Sequence, residues 1–212
     1  ALNDQLSNIE RLIGSIDNDT LSGSANADEI WGGQGDDSIT GGDDADDLQG
    51  NEGADTIDGE AGADQIDGGS GNDLILASAD GDTIDGGADF DTVDYSASTP
   101  GVTAYLDGTA GTGGLAAGDT LTNVERLVGT SANDALFGAG TDDTLEGRDG
   151  DDTLNGGGGM DTILGGIGVD TINAGDQDDT IDAGGGDDVI TASAGADSID
   201  GGADSDTLSY AG

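Results

Sequence analysis

The sequence predicts an all-β protein: a parallel β-roll, or right-handed β-solenoid, with two rolls of about nine nonapeptide units each, in tandem 115-residue modules. Three observations support this fold. A unit of the form G-G-x-G-x-D-x-U-x, with U aliphatic, recurs nine times over 14–94 and nine times over 129–209. Position eight of the unit is Leu, Ile or Val in all eighteen copies. The segment LSNIERLIGS at 6–15 returns as LTNVERLVGT at 121–130, 115 residues later.

Each unit has the composition of half a coil. Glycines at positions one, two and four suit a tight turn, because glycine tolerates positive φ. Positions seven to nine suit a three-residue strand, since position seven is mostly the β-branched Thr, as at Thr56 and Thr171. Position eight then points inward and its two neighbours outward. Two units complete a coil, and stacked coils form two parallel sheets around a thin aliphatic core.

Position six is Asp in every unit. Loops of units n and n+2 lie on the same edge of the roll, about 4.8 Å apart, so each edge becomes a ladder of carboxylates. Such carboxylates repel one another in a gap of low dielectric constant. Carboxylate and loop carbonyl oxygens together suit Ca²⁺, and suit the strictly octahedral Mg²⁺ less well. The candidate ligands are Asp19, Asp28, Asp37, Asp46, Asp55, Asp64, Asp73, Asp82, Asp91, Asp134, Asp143, Asp152, Asp161, Asp170, Asp179, Asp188, Asp197 and Asp206.

At these residues the chain resembles the calcium-binding β-roll of the RTX (repeats in toxin) family. The resemblance implies that position-six Asp side chains and loop carbonyls from two same-edge loops share each Ca²⁺ ion. It also implies type I secretion and folding on contact with extracellular calcium. Seven same-edge pairs in each run allow up to about fourteen ions. The carbonyls expected to take part include those of Gly32, Gln34, Gly68, Ser70, Gly156, Gly158, Gly165 and Ile167.

The module repeat predicts three regions: a first roll at 1–94, a cap or linker at 95–118 and a second roll at 119–212. Degenerate opening coils at 4–13 and 119–128 precede the nonapeptides, with Glu10 and Glu125 in place of Asp; we interpret these two as surface charges.

The region 95–118 contains one alternating stretch, 102–106, which predicts a short strand. We favour a cap over the open end of the first roll, because open sheet edges invite pairing. Tyr95, Val102, Tyr105 and Leu106 would form its apolar face, and a flexible linker is the alternative.

Several loops depart from the consensus. Asp can adopt the left-handed conformation, so loops with Asp at position four should keep their shape. Other residues at position four, and Ala in place of Gly at position one, mark candidates for weak or missing sites. The first group is Asp44, Asp80 and Asp89; the second is Ala132, Thr141, Gln177, Ala77, Ala174, Ala183 and Ala192.

Composition excludes several classes of function. A formal net charge of −44 argues against binding to nucleic acid or anionic membranes, and no apolar run approaches the ~20 residues of a membrane span. With no Lys, His or Cys to activate a nucleophile, we expect no enzymatic activity. The 43 glycines and 3% aromatic content would also fit disordered filler, but filler does not keep an aliphatic residue in phase eighteen times.

Two functions fit the sequence. The first is a non-enzymatic calcium-binding structural module of a large secreted or cell-surface repeat protein, such as an adhesin, surface-layer or fibre-like protein. The 115-residue repeat favours it, and the chain reads as a piece of a longer tandem array with contacts between copies. The alternative is a calcium-dependent accessory or secretion domain of a type I-secreted enzyme or toxin. Both place the chain outside the cell, and the outward Trp31 is a candidate partner contact.

Overall fold

The computed structural model describes residues 9–210. It is a parallel β-roll, and its one helical element is a 3₁₀ turn at Gly114–Ala116 within that range. The described residues cluster into two compact units, 9–93 with 118–124 and 94–117 with 125–210.

The first unit contains two parallel sheets. One has the order β1-β3-β5-β7-β9-β12, and the other runs β2-β4-β6-β8-β10, its last strand ending at the unit boundary. The strands are β1 (Arg11–Ile13), β2 (Thr20–Ser22), β3 (Glu29–Gln34), β4 (Ser38–Asp43), β5 (Asp47–Glu52), β6 (Thr56–Ala61), β7 (Gln65–Ser70), β8 (Leu74–Leu76), β9 (Thr83–Ala88), β10 (Thr92–Asp94) and β12 (Thr120–Thr122).

The second unit repeats this architecture. One row of strands has the order β13-β15-β17-β19-β21 and the other β11-β14-β16-β18-β20-β22. The strands are β11 (Thr103–Tyr105), β13 (Arg126–Val128), β14 (Ala135–Phe137), β15 (Thr144–Asp149), β16 (Thr153–Asn155), β17 (Thr162–Ile167), β18 (Thr171–Asn173), β19 (Thr180–Gly185), β20 (Val189–Ala192), β21 (Ser198–Asp200) and β22 (Thr207–Tyr210).

The strand register confirms that one coil consists of two nonapeptides. Within the nonapeptide runs, each residue pairs with the residue eighteen positions later, as Ile57 does with Ile75 and Ile163 with Ile181. Position eight therefore stacks on position eight along each sheet, and position six lies above position six along each edge.

The strands are longer than predicted. Nine of those described have six residues and run from position seven into position three of the next unit. In β5, Leu48 and Gly50 are both buried while their neighbours are not, so position one also faces inward. For these nine strands the prediction of three residues was wrong, because positions one and two continue the strand and the turn is confined to positions four to six. Seven other strands of the runs, such as β16 and β18, have the predicted three residues.

The aliphatic core has the predicted phase. Of the eighteen position-eight side chains, sixteen are buried, whereas Ile199 is half-buried and Leu208 is 43% exposed in the last described coil. No position-seven side chain within 9–210 is buried. The core is therefore a single file of Leu, Ile and Val between two sheets, with glycine or alanine at position one filling the remaining space.

The region 95–118 contains the predicted short strand. Strand β11 pairs with β14, so it is the first strand of a sheet of the second unit. That the region caps the first roll stays a prediction. Val102, Ala104 and Leu106 face inward, and Tyr95 is fully buried. Tyr105 was wrongly assigned to the apolar face, because it lies on the outer surface with its ring stacked on Phe137 at 4.8 Å.

The opening coil predicted at 119–128 contributes one strand to each unit. Strand β12 pairs with β9 in the first unit, and β13 pairs with β15 in the second. The reason lies in Asp119-Thr120-Leu121, which reproduces positions six to eight of the repeat and continues the first roll after the insertion. The sequence-based domain boundary at 119 therefore differs from the boundary of compact packing.

Candidate metal sites

The structure places the predicted position-six aspartates along the loop edges of the two units. Fifteen of the eighteen are buried. Asp19 and Asp197 are half-buried and Asp206 is exposed, and these three belong to the first and last coils of their runs. A carboxylate is rarely buried without a partner of opposite charge or a metal ion.

In most of these carboxylates, one oxygen accepts a hydrogen bond from the backbone of the neighbouring coil. The Asp37 N–H donates to Asp55 Oδ1 at 2.7 Å, and the Asp152 N–H donates to Asp170 Oδ1 at 2.9 Å. The same bond joins all fourteen predicted same-edge pairs. These pairs are 19–37, 28–46, 37–55, 46–64, 55–73, 64–82, 73–91, 134–152, 143–161, 152–170, 161–179, 170–188, 179–197 and 188–206.

The sequence reasoning missed Asp119 as a member of this series. Its Oδ1 accepts the Asp82 N–H at 2.9 Å, and its side chain is buried. It was overlooked because the insertion puts it out of phase with the nonapeptide count, 37 residues after Asp82 instead of eighteen. The signal was its context, Asp-Thr-Leu-Thr, which matches positions six to nine.

The second carboxylate oxygen, Oδ2, accepts no hydrogen bond from residues 9–210 in most of these aspartates. In ten of the position-six aspartates, Oδ2 is buried and has no hydrogen-bond partner within the described residues. A buried oxygen of this kind costs free energy unless something coordinates it. Because the same oxygen recurs at one position of the repeat, these atoms form a regular series of acceptors that suits a cation. These aspartates are Asp37, Asp46, Asp55, Asp64, Asp73, Asp152, Asp161, Asp170, Asp179 and Asp188.

Burial makes the charged form of these groups unfavourable. Desolvation, together with the repulsion from carboxylates one coil away, raises the pKa of Asp73 and of Asp152 to about 7. The hydrogen bond from the backbone N–H of the previous coil acts in the opposite direction but does not cancel the shift. The pKa is likewise raised to about 6 at Asp46, Asp64, Asp82, Asp161 and Asp170.

Loop carbonyls are further candidate ligands. The Gly35 carbonyl oxygen lies 2.0 Å from the place that a Cβ on Gly53 would take, and the Gly150 carbonyl oxygen lies 1.8 Å from that place on Gly168. Position-four carbonyls therefore point along the edge into the gap between successive loops. Position four needs positive φ, 140° at Gly53 and 146° at Gly168. This carbonyl series was not predicted.

The carbonyls predicted as ligands lie at positions one and three, at the inner end of each loop. Two of them already accept backbone hydrogen bonds: Ser70 from the Gly53 N–H at 2.9 Å, and Ile167 from the Gly150 N–H at 2.8 Å. A carbonyl oxygen has a second lone pair, so these bonds leave room for a cation. No three acidic side chains of 9–210 converge on one point. An ion at this edge would therefore take most of its ligands from carbonyls, which is a donor set that Ca²⁺ accepts.

The substituted loops keep the backbone shape of the consensus in part. At position four, Asp44, Asp80 and Asp89 have φ of 64°, 75° and 85°, which confirms that Asp adopts the left-handed conformation there. Gln177 also does so, with φ of 86°, contrary to expectation. Ala174, Ala183 and Ala192 at position one are fully buried. Whether these loops bind more weakly stays a prediction.

The model of the RTX calcium-binding nonapeptide repeat matches residues 7–39, 40–75, 68–93, 128–163, 155–190 and 173–208. The chain belongs to this family. No curated protein matches the chain. RTX repeats form a structural calcium-binding fold that is generally non-catalytic and typical of exported proteins, and this membership implies Ca²⁺ as the ligand.

Two of the three arginines, Arg11 and Arg126, have local partners. The Arg11 guanidinium carbon lies 4.1 Å from the centre of the Trp31 ring, and Arg11 also pairs with Glu29 at 3.5 Å. Arg126 pairs with Glu146 at 2.5 Å. Trp31 is therefore covered by Arg11, which weakens the case for a partner contact at this residue. No helix within 9–210 is long and apolar enough to cross a membrane.

Proposed function

We propose that this RTX chain is a calcium-switched structural module, unfolded where calcium is scarce and folded where calcium is millimolar. The observation that carries the proposal is the series of buried Oδ2 atoms that lack a hydrogen-bond partner. Ca²⁺ supplies a positive charge that carboxylates on two neighbouring loops share, so binding removes both their repulsion and their desolvation cost.

The thin core supports the same conclusion. Sixteen of the eighteen nonapeptides bury one large aliphatic side chain at position eight, while nine residues per unit lose conformational freedom. Hydrogen bonds contribute little net free energy to close that difference. Ion binding to the native state alone stabilises it by mass action. Extracellular calcium modules bind at about 10⁻⁴–10⁻³ M, which suits folding after export.

The position-six aspartates are the proposed side-chain ligands, with carbonyls of the loops before them. In the ten aspartates with an unpartnered Oδ2, Oδ1 accepts the backbone N–H of the coil before and Oδ2 faces the interior of its own loop, as in Asp55. Because each aspartate is bonded to the adjacent coil, ordering one loop orders the next, and folding should be cooperative.

The experiment is a calcium titration of the chelator-treated chain, followed by far-ultraviolet circular dichroism. We expect a coil spectrum in chelator and a steep, reversible gain of β signal near millimolar calcium. Magnesium at the same concentration should produce little change, since it keeps its hydration waters and octahedral geometry. A chain that is fully folded in excess chelator at neutral pH would refute the calcium switch.

We further propose that the module belongs to a large secreted or cell-surface repeat protein, such as an adhesin, surface-layer or fibre-like protein, exported by type I secretion. The 115-residue repeat supports this role, since calcium would stiffen consecutive copies together. Further 115-residue copies in the full-length gene are the expected finding. A catalytic domain upstream, with no further copies, would instead favour an accessory domain of a secreted enzyme or toxin.

A further inference from the structure

A second series of side-chain bonds runs along the outside of the loops, at position five. The unit has Asn or Asp at this position eight times, and each time its Oδ1 accepts the backbone N–H of the position-five residue eighteen positions later. The receiving residues vary, because only their backbone is used. The pairs are 18–36, 36–54, 72–90, 133–151, 142–160, 151–169, 178–196 and 187–205.

These bonds fix one peptide plane in each loop. The Val169 N–H donates to Asp151 Oδ1 at 2.9 Å, in the previous coil. In a planar trans peptide the carbonyl of the preceding residue points the opposite way, and here that residue is Gly168. The Gly168 carbonyl oxygen does point to the next coil, lying 1.7 Å from the place that a Cβ on Gly186 would take. Holding the Val169 N–H therefore keeps the Gly168 carbonyl directed into the gap between loops. The Asp44 carbonyl takes the same direction without such a bond, 1.9 Å from the place that a Cβ on Gly62 would take, so the bond secures this orientation rather than creating it.

We propose that the position-five Asn and Asp side chains are positioning residues for the calcium loops. They act as hydrogen-bond acceptors that orient the position-four carbonyl toward the ion before the ion arrives. This inference rests on the proposed calcium binding, but it assigns these side chains a role that needs no contact with the metal. An amide oxygen should accept this hydrogen bond as well as a carboxylate does, which explains why both Asn and Asp occur in the series. The Asn residues are Asn18, Asn72 and Asn133.

One edge of the first unit provides a natural contrast. Its position-five residues are Ala27, Ala45, Ala63 and Gly81, which have no side-chain acceptor. The position-six bonds are still present there, as in Asp46 N–H to Asp64 Oδ1 at 2.8 Å. Of the two series of side-chain bonds, this alanine edge therefore has only the one at position six. Its loops should order at higher calcium concentration than the loops that carry both series.

The adjacent residues Asp151 and Asp152 allow a matched test, since each loses one charge on substitution by Asn. For Asp151→Ala we expect the calcium midpoint of folding to rise about twofold, because one hydrogen bond per loop is lost. Asp151→Asn should stay within experimental error of the wild-type chain. Asp152→Asn should raise the midpoint about fivefold or more, because it removes a charged ligand. Asp182→Asn, on the outer sheet face, measures the effect of charge alone.

Hydrogen exchange of the Val169 amide, followed by NMR in the folded chain, gives a second readout. Exchange should be faster in Asp151→Ala and unchanged in Asp151→Asn. Ala45→Asn should supply the missing acceptor on the alanine edge, slow exchange of the Ala63 amide and lower the calcium midpoint. Equal midpoint shifts in Asp151→Asn and Asp151→Ala, or unchanged Val169 exchange in Asp151→Ala, would overturn the positioning role. A wild-type chain that folds without calcium would refute the proposed function, while Val169 exchange would still decide this inference.

Discussion

A single carboxylate serves two purposes at position six of the repeat. Its Oδ1 accepts a backbone N–H of the adjacent coil, and its Oδ2 is buried without a hydrogen-bond partner at the place where we propose that Ca²⁺ binds, as in Asp55 and Asp161. Glu is one methylene longer and would not keep both contacts in the same loop. This explains why Asp occupies the position in all eighteen units.

Adjacent glycines in one loop should respond differently to alanine. A Cβ on Gly159 would lie 2.1 Å from the Thr141 carbonyl oxygen, and its φ is 126°, whereas a Cβ on Gly158 meets nothing within 4 Å. We expect Gly159→Ala to lower the free energy of unfolding by about 1–3 kcal/mol or more, and Gly158→Ala to have little effect. Urea unfolding in saturating calcium measures both. A benign Gly159→Ala would contradict the loop geometry.

The core residue Ile172 should contribute far more than its neighbour on the outer face. The Ile172 side chain is only 1% exposed, whereas the residue before it, Thr171, is exposed to solvent. Replacing Ile172 by Ala should cost about 2–5 kcal/mol of unfolding free energy, because the single-file core cannot close the cavity. Thr171→Ala should stay within about 0.5 kcal/mol. Comparable losses at both positions, measured in calcium, would show that the assigned phase is wrong.

Along each loop edge, the titration of buried aspartates links pH to folding. The pKa of Asp73 and Asp152 is raised to about 7 in the fold, from an ordinary value of 3.8. The folded state therefore binds protons more tightly than the unfolded chain. Stability from this source is fully present below pH 3.8, and it is lost as the pH rises through about 7.

We therefore expect acid to substitute in part for calcium. In chelator, lowering the pH from about 8 to about 5 should increase the β signal in circular dichroism, because protonated carboxyls are cheaper to bury. With calcium present the same change should weaken ion binding, since protons compete for the ligand oxygens. Asp73→Asn combined with Asp152→Asn should reduce the pH dependence in chelator. A coil spectrum at every pH would contradict this prediction.

The charge of the whole chain sets the number of ions that it can accept. The formal net charge of −44 results from 47 acidic and only three basic side chains. About fourteen divalent ions would reduce the charge without reversing it, and the candidate positions are the fourteen hydrogen-bonded aspartate pairs of the two runs and the Asp82–Asp119 pair. We expect native mass spectrometry to detect between about eight and fourteen bound Ca²⁺ ions, with fewer in Asp119→Ala. A smaller number in the wild-type chain would mean that many loops do not bind.

The nonapeptide by itself determined the parallel roll, the two-unit coil, the inward position eight and the aspartate pairs. These follow from strict local periodicity, which repeats the same side-chain direction in every unit. Tertiary structure decided what periodicity does not encode. Asp119 belongs to the first roll because the strand that follows it, β12, pairs with β9 despite the residues inserted between the two strands. Tyr105 faces outward because β11 takes its register from β14. The position-five bonds join residues eighteen positions apart, which come within hydrogen-bond distance only when successive coils are stacked.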